Sequence, residues 1–404
     1  MRWNNDCTEK TKYYRINGNN INKQCTLLFL NTFMVAYFVT LTNYDYKIIS
    51  LYYIASFIFI MLTFLLLGKT IKEKMKVPIY RVGIIFYCIY ILMIALLKEK
   101  IVDYYLYLGA FYGIVQGLFW SAGHSLINQN VADKSNSFIS IRSMISKTLK
   151  IIFPIIFGVS IELTSFSYIA RIILILSFLQ FSFSLLIKDD QTEEKKKYNL
   201  KEYFEYLKKN TNKKMKSFYK MVVCDGIVSY LLETIITLMI VITFKENISL
   251  GILTTIYSVF SIVSVYIFQN KLKNNKTILK ISTLGVVLSI VLLLIDISKT
   301  TIILYNFISS VFLVLLRNNA EEKRYAIVNS DEKLKENYLV EHQIVSELSL
   351  NISRIVGYAL LFVASLSINM VILKVLLGII ALIVVAYAKM MIDIGENKKV
   401  YTNS

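Results

Sequence analysis

Apolar residues in this chain are collected into long runs, and short polar segments separate one run from the next. Runs of about 20 apolar residues, enough to cross the hydrocarbon core of a bilayer, recur between residues 25 and 392. Backbone groups inside a bilayer must be hydrogen-bonded within their own segment, so each run is predicted to form a helix. The pattern predicts twelve membrane-spanning helices, at residues 25–43, 47–68, 78–97, 101–128, 138–161, 165–187, 218–244, 248–268, 277–297, 301–325, 339–366 and 369–392.

The longest polar interruption divides these predicted helices six and six. We therefore expect an all-α integral membrane protein with an N-terminal six-helix bundle at residues 1–187, a cytoplasmic basic linker at residues 188–217 and a C-terminal six-helix bundle at residues 218–404. A parallel repeat of two six-helix halves is one known plan for transporters, with the substrate site near the midplane between the halves.

Aromatic residues lie among the lysines of the linker, at Tyr203, Phe204 and Tyr206. They predict either a short amphipathic helix at the membrane surface or a plain solvated segment.

Composition and charge agree with a membrane protein of defined orientation. The chain is 56% hydrophobic, above the 45–50% or so that is usual for soluble domains, yet it carries a net charge of +18. Thirty lysine and arginine residues lie in the connections on one predicted side, and five on the other, at Lys47, Lys98, Lys100, Lys245 and Lys299. By the positive-inside rule, we expect a multi-pass protein of the plasma membrane with both termini in the cytoplasm. Anionic lipid headgroups, and not nucleic acid, are the expected partners of the excess charge.

Several function classes have no support in the sequence. There is no GxxxxGK[ST] motif and no soluble segment large enough for an ATPase domain. The four cysteines, Cys7, Cys25, Cys88 and Cys224, lack the spacing of a metal or redox site. No nucleophile–base set is visible, so we expect no enzyme activity, no cofactor and no metal.

The architecture resembles the major facilitator superfamily of transporters over nearly the whole chain. Members usually carry a loop of the form G-x-x-x-D-R-x-G-R-R after the second helix. The corresponding segment here is "GKTIKEKMK", residues 68–76, which keeps the leading glycine and the basic character. Lys72 stands at the aspartate position and Met75 at the second glycine, which brings into question the charge contact that the loop makes between helices.

A second family motif is also only partly kept. Drug–proton antiporters of the superfamily often show R-x-x-Q-G in the fourth helix. The segment "GIVQG" keeps Gln116 and Gly117 but has Gly113 where the arginine would be. The resemblance therefore implies a secondary transporter of a small solute and argues against drug–proton antiport in particular.

The eleventh predicted helix carries polar residues on one face. At 100° per residue, one arc of about 80° contains Gln343, Glu347, Asn351, Arg354 and Tyr358. A neighbouring stripe of small residues, suited to close helix packing, contains Ser346, Ser349, Ser353 and Gly357. The side predicted to face lipid contains Ile344, Val345, Leu348, Ile352, Ile355 and Val356. Glu341 and His342, at the helix end, are predicted to be solvated.

Two interpretations of Glu347 and Arg354 stay open. They form a structural ion pair near the cytoplasmic gate, or they contact a solute or a proton directly. An ionisable group costs about 2.5–3.5 kcal/mol or more at the centre of a membrane helix, so either role requires it to face the protein interior or a cavity.

The seventh predicted helix carries two carboxylates, Asp225 and Glu233, on one gradually drifting face with Ser229 and Thr237. Glu233 is nearest the middle, where it is either a proton carrier or a buried carboxyl that is hydrogen-bonded to another helix. Asp225 lies closer to the cytoplasmic end, where a structural role is favoured.

The fourth and fifth helices supply further candidates. Lys150 is a candidate to bind an anionic group of the substrate or to pair with Glu233, and Pro154 is expected to bend its helix. Gln116, Trp120 and His124 lie near a ladder of small residues formed by Gly109, Gly113, Gly117 and Ser121, which predicts close helix contact. His124 is a proton carrier or a hydrogen-bonded structural histidine.

These observations predict a secondary active transporter of a small organic solute that works as a monomer by alternating access. Glu233 and Glu347 are the candidate couplers to protons or another ion, and Arg354, Asn351 and Lys150 are candidate substrate groups. The alternative is a transport-inactive relative that acts as a membrane scaffold or sensor.

Overall fold

A computed structural model describes residues 25–43, 45–73, 76–130, 135–186, 197–209, 213–268, 276–366 and 370–396. Side chains are described for these residues except for 124–147, 213, 370 and 395–396. Within the described ranges the chain consists of helices and short connections, without a strand. The predicted all-α fold is confirmed.

Each predicted membrane segment corresponds to a helix. They are α1 (Cys25–Leu41), α2 (Lys47–Glu73), α3 (Lys76–Leu97), α4 (Tyr105–Asn130), α5 (Ser135–Leu163), α6 (Phe166–Ser184), the continuous pair α8 (Lys213–Gly226) and α9 (Leu232–Phe244), α10 (Asn247–Phe268), α11 (Lys276–Ile295), α12 (Lys299–Asn329), α14 (Leu339–Ser365) and α15 (Met370–Glu396). A π-helical turn, Ile227–Leu231, joins α8 to α9. The described ranges also contain two short helices, α7 (Leu200–Lys209) and α13 (Glu332–Asn337), and a short 3-10 helix, Lys98–Val102.

Helices α2 and α4 are held together by the predicted glycine ladder. A methyl group at Gly109 or Gly113 would collide with the carbonyl oxygens of Tyr52 and Ser56, and one at Gly117 would collide with the Thr63 side chain. Small residues allow helix backbones to approach this closely, so packing alone explains the ladder.

Replacing Gly113 with alanine is expected to destabilise the protein by about 1–3 kcal/mol, because the added methyl group meets rigid backbone. Thermal unfolding in detergent measures the effect. Gly378→Ala is the matched control, since a Cβ there has no neighbour within 4 Å and alanine favours a helix by up to about 1 kcal/mol. Equal melting temperatures for the two variants would contradict the packing argument.

The helices before α7 meet those after it along two seams, α2 against α14 and α5 against α10. In the second seam Gly251 packs against the Pro154 carbonyl, and Thr255 Oγ1 donates to the Ile151 carbonyl over 2.9 Å. Proline has no N–H, so the Lys150 carbonyl, four residues before Pro154, loses its usual helical donor. The Thr255 hydroxyl bonds the next carbonyl along the chain, and α5 continues through Pro154 as a helix.

The linker contains the helix α7, which docks onto the protein. Tyr203 and Tyr206 are buried in a cluster with Tyr338 and Val345, while Phe204 is 51% exposed. The phenol of Tyr338 donates to the Glu202 carboxylate over 2.6 Å, and this bond raises the pKa of Tyr338 to about 12. The amphipathic helix predicted for the linker is present, and two of its three aromatic residues pack against protein. Helix α7 lies at one end of the bundle, where α2 ends and α14 begins. We call this end of the bundle the linker side.

Candidate functional site

The polar face of α14 forms a continuous hydrogen-bonded ladder. Asn351 Nδ2 donates to the Glu347 carbonyl over 2.8 Å and approaches its carboxylate at 3.4 Å. Arg354 NH1 donates to Asn351 Oδ1 over 2.9 Å. Seven residues separate the carboxylate from the guanidinium, about 10 Å along a helix, so the fully buried Asn351 amide links them without a direct ion pair.

Arg354 lies between the two groups of helices, against aromatic rings from both. Its guanidinium carbon is 3.6 Å from the ring centroid of Tyr230 in the π-helical turn and 5.3 Å from that of Phe57 in α2. The side chain is 7% exposed, its Nε atom has no hydrogen-bond partner, and no described carboxylate forms an ion pair with it. We call Phe57, Tyr230 and Arg354 the arginine–aromatic site.

The predictions for the other two sides of α14, a small-residue stripe and a lipid-facing side, agree with the structure only in part. The small-residue stripe packs closely, because a methyl group at Gly226 would collide with Ser353 Oγ and one at Gly357 would lie 3.0 Å from Leu231. Ile352 and Val356 are exposed, as a lipid-facing side requires. The prediction is wrong for Ile344 and Val345, which are buried because α2 covers the first and α7 the second.

Glu233 is the most accessible carboxylate of the interior. Its side chain is 67% exposed and lies 3.6 Å from the guanidinium of Arg317 in α12. Arg317 also donates to the Ser229 carbonyl over 3.0 Å. The ion-pair partner of Glu233 is therefore Arg317 and not Lys150, and the alternative of a buried Glu233 carboxyl is wrong.

Asp225 joins three helices. Its carboxylate accepts from Ser229 over 2.7 Å, from Tyr387 of α15 over 2.8 Å and from Arg324 of α12 over 2.5 Å. The structural role favoured for Asp225 agrees with this geometry. The sequence did not indicate Arg324 or Tyr387 as its partners, because neither shares a helix with it.

The remaining candidates lie apart from this cluster or outside the described side chains. Lys150 is exposed, and its ammonium group interacts electrostatically with the Glu321 carboxylate of α12. Gln116 is buried in α4 and accepts a hydrogen bond from Trp120 over 2.6 Å. His124 lies in α4, and its side chain is outside the described residues.

An ion pair on the linker side joins α2 to α14. Lys72 Nζ lies 2.5 Å from Glu341 Oε1 and also donates to the Asn337 carbonyl over 2.7 Å, and the Asn199 backbone N–H donates to the same Glu341 oxygen. Glu341 is fully buried. The prediction that Glu341 is solvated is wrong, because α2 and the start of the linker helix cover it.

His342 is enclosed by the same arrangement, so its predicted solvation is also wrong. Its Nδ1 atom lies 2.8 Å from the Tyr203 hydroxyl of α7 and 3.2 Å from that of Tyr219 in α8. The linker helix is thus tied to α14 by a hydrogen-bonded imidazole as well as by its buried tyrosines.

The described side chains include no group of three or more His, Cys, Asp or Glu residues that is able to hold a metal ion. Cys25, Cys88 and Cys224 are free thiols, and Cys7 lies outside the described residues.

A bundle of apolar helices that encloses carboxylates and arginines is typical of a multi-pass membrane protein with a functional interior. The sequence model of the Major Facilitator Superfamily matches residues 25–318, which is most of the chain. The chain belongs to the Major Facilitator Superfamily. Its sequence has no match among curated proteins.

Solved transporters share the fold at low sequence identity. The crystal structure of the nucleoside transporter NupG is 12% identical, with a TM-score of 0.69 over 94% of this chain and 98% of that chain. A bacterial homologue of the iron transporter ferroportin, in an inward-facing state, is 12% identical, with a TM-score of 0.68 over 96% and 99%. A bacterial metal transporter is 12% identical, with a TM-score of 0.61 over 95% and 98%. At this identity the likeness shows the twelve-helix fold alone.

Proposed function

We propose that the chain is a secondary active transporter that moves a small organic solute across the plasma membrane by alternating access. The observation that carries the proposal is the Glu347–Asn351–Arg354 ladder, which contacts Phe57 across the α2–α14 seam. Ionisable side chains inside a membrane protein are costly, and they mark substrate and proton pathways by default. Both termini lie in the cytoplasm in this proposal, as the lysine and arginine bias predicts.

The moving parts are residues 1–187 and 218–404, joined by the linker at 188–217. Access from the linker side requires α2 and α14 to separate at that end, which breaks the Lys72–Glu341 ion pair. Lys72 stands at the aspartate position of the family loop, which brought the charge contact of that loop into question. A charge contact between helices is present, but with the signs reversed: the lysine lies on α2 and the glutamate on α14. This supports a working gate in place of a transport-inactive scaffold.

Coupling to protons is assigned to Glu233, with Glu347 as the second candidate. Glu233 is accessible, lies near mid-helix and is only loosely paired with Arg317, so its carboxylate is open to an ion or a proton that passes along this part of the protein. Glu347 is partly buried and is anchored by the Asn351 amide.

Purified protein in liposomes that contain a pH-sensitive dye tests the proposal. Addition of a transported solute, from a panel of organic acids and nucleosides, is expected to move protons with the wild-type protein. Glu233→Gln is expected to abolish proton movement, because a glutamine cannot carry a proton across. Glu246→Gln is the matched control, since Glu246 is an exposed carboxylate outside the helices that is hydrogen-bonded only to Ser249.

Failure of every solute to move with the wild-type protein would favour the scaffold or sensor. Solute flux that is equal in the wild-type protein and in Glu233→Gln, without proton movement in either, would support a transporter that runs on the gradient of the solute itself.

A further inference from the structure

We propose that the arginine–aromatic site binds the carboxylate of a planar, aromatic organic acid, and that this acid belongs to the transported class. This inference rests on the proposed transport function and names the chemical class of the solute. It begins from the observation that the interior arginines are not equivalent.

Among the side chains that the structure describes, two of the three interior arginines already have a carboxylate. Arg324 is paired with Asp225 at 2.5 Å, and Arg317 is 3.6 Å from Glu233. Arg354 has no such partner among the described side chains, although it is 93% buried. A buried guanidinium without an anion is costly, and its planar set of five donors matches a carboxylate in geometry.

The hydrogen bonds of Arg354 leave most of its donors free. NH1 donates to the Asn351 amide, and Nε has no partner. Asn351 is itself held by Glu347, so one edge of the guanidinium is fixed in position, while its other donors have no hydrogen-bond partner among the described residues. Preorganisation of this kind lowers the entropic cost of binding.

Aromatic rings surround the guanidinium and indicate the shape of the ligand. Phe57 lies 5.4 Å from Tyr358 and 6.0 Å from Tyr230 between ring centroids, and Tyr53 lies 4.9 Å from Tyr358. Rings at these separations are in contact with one another, and a planar guest at the site would meet their faces and edges. The cluster draws on α2, α14 and the π-helical turn, so a ligand bound there contacts both groups of helices.

Access to the site is provided by the π-helical turn. Tyr230 is 38% exposed although it stacks on the buried Arg354, and Glu233, less than one helical turn further along the chain, is 67% exposed. Tyr230 therefore joins the buried guanidinium to an accessible part of the protein, and in this proposal the ligand enters on that side. Single π-helical turns occur frequently at functional sites, because the extra residue redirects a side chain.

Benzoate and benzamide form the test pair, since they share a ring and a size and differ in charge. Calorimetric titration of the full-length protein in detergent at pH 7 measures both. We expect benzoate to bind at least tenfold more tightly than benzamide, because only the carboxylate offers a negative charge to Arg354. Arg354→Gln is expected to remove this preference, and Arg354→Lys to keep part of it, because lysine retains the charge but not the planar fork. Arg171→Gln, which alters an exposed arginine of α6, is expected to retain the full preference.

A second variant protects the test against misfolding of Arg354→Gln. Tyr230→Leu removes the stacking platform at a partly exposed position, and we expect it to weaken benzoate binding several-fold while the melting temperature stays near that of the wild type.

Three results would overturn the inference: equal binding of benzoate and benzamide, no binding of either, or an unchanged preference in Arg354→Gln. Transport of a neutral solute without any effect of benzoate would remove the inference and leave the transporter in place. Absence of flux for every solute, with benzoate still bound at Arg354, would remove the proposed function and the transport of the acid, and leave the carboxylate-binding site in place.

Discussion

Replacing Glu341 with glutamine is expected to lower the free energy of unfolding by about 3–5 kcal/mol. The substitution keeps the shape of the side chain but removes the charge that faces Lys72 at 2.5 Å, and both side chains are at least nine-tenths buried. Breaking a buried ion pair leaves the partner charge uncompensated, and this accounts for the large effect.

The double variant Lys72→Met with Glu341→Gln separates the loss of the pair from the cost of a stranded charge. Replacing both members of a buried pair with neutral residues is often close to neutral, so the double variant is expected to be more stable than Glu341→Gln alone. Thermal unfolding in detergent measures all three proteins. Lys69 is an exposed lysine one turn earlier in α2, and the Lys69→Ala variant is expected to have the same melting temperature as the wild type.

The opposite order of stabilities would show that the ion pair does not hold α2 to α14. If the double variant were less stable than Glu341→Gln, the stranded ammonium of Lys72 would not be the source of the destabilisation. If Glu341→Gln melted with the wild type, the pair would make no net contribution to stability.

The number and positions of the helices were predictable because the membrane requirement is local. Each apolar run must satisfy its own backbone, so length and hydropathy are enough to mark it. The ends were less predictable: the predicted tenth helix stopped at residue 325, whereas α12 continues to Asn329. The pairing of Asp225 with Arg324 was missed because the two residues belong to different helices.

The polar face of α14 was also predictable, since helical periodicity alone aligns Glu347, Asn351 and Arg354. The environment of Glu341 was not predictable, because its partner Lys72 lies 269 residues earlier in the sequence and on another helix. A position that is exposed at the end of an isolated helix becomes buried when another segment covers it. Helical periodicity reports which residues share a face but not which segment packs against that face.

Replacing Asp225 with asparagine is expected to lower the free energy of unfolding by about 2–3 kcal/mol, mainly through the loss of the Arg324 ion pair. Ser229 and Tyr387 both donate to Oδ1 and Arg324 donates to Oδ2, so an asparagine that keeps its oxygen towards the two hydroxyls places its NH₂ group against the guanidinium. Arg324 is about a third exposed, and solvent screening makes the effect smaller than for a fully buried pair. Tyr387→Phe, which removes one of the three hydrogen bonds, is expected to cost about 1–2 kcal/mol.

Glu233→Gln is the matched comparison, because both residues are interior carboxylates paired with an arginine of α12. The Glu233 carboxylate is mostly exposed and its pair is longer, so its loss is expected to change stability by less than about 1 kcal/mol. Parallel measurements of melting temperature and proton movement distinguish the two roles. Asp225→Asn is expected to lower stability, because the carboxylate that joins three helices is lost. Glu233→Gln is expected to abolish proton movement in a protein that remains as stable as the wild type. A loss of stability of the same size in both variants would assign Glu233 to the structural framework and leave Glu347 as the coupling carboxylate.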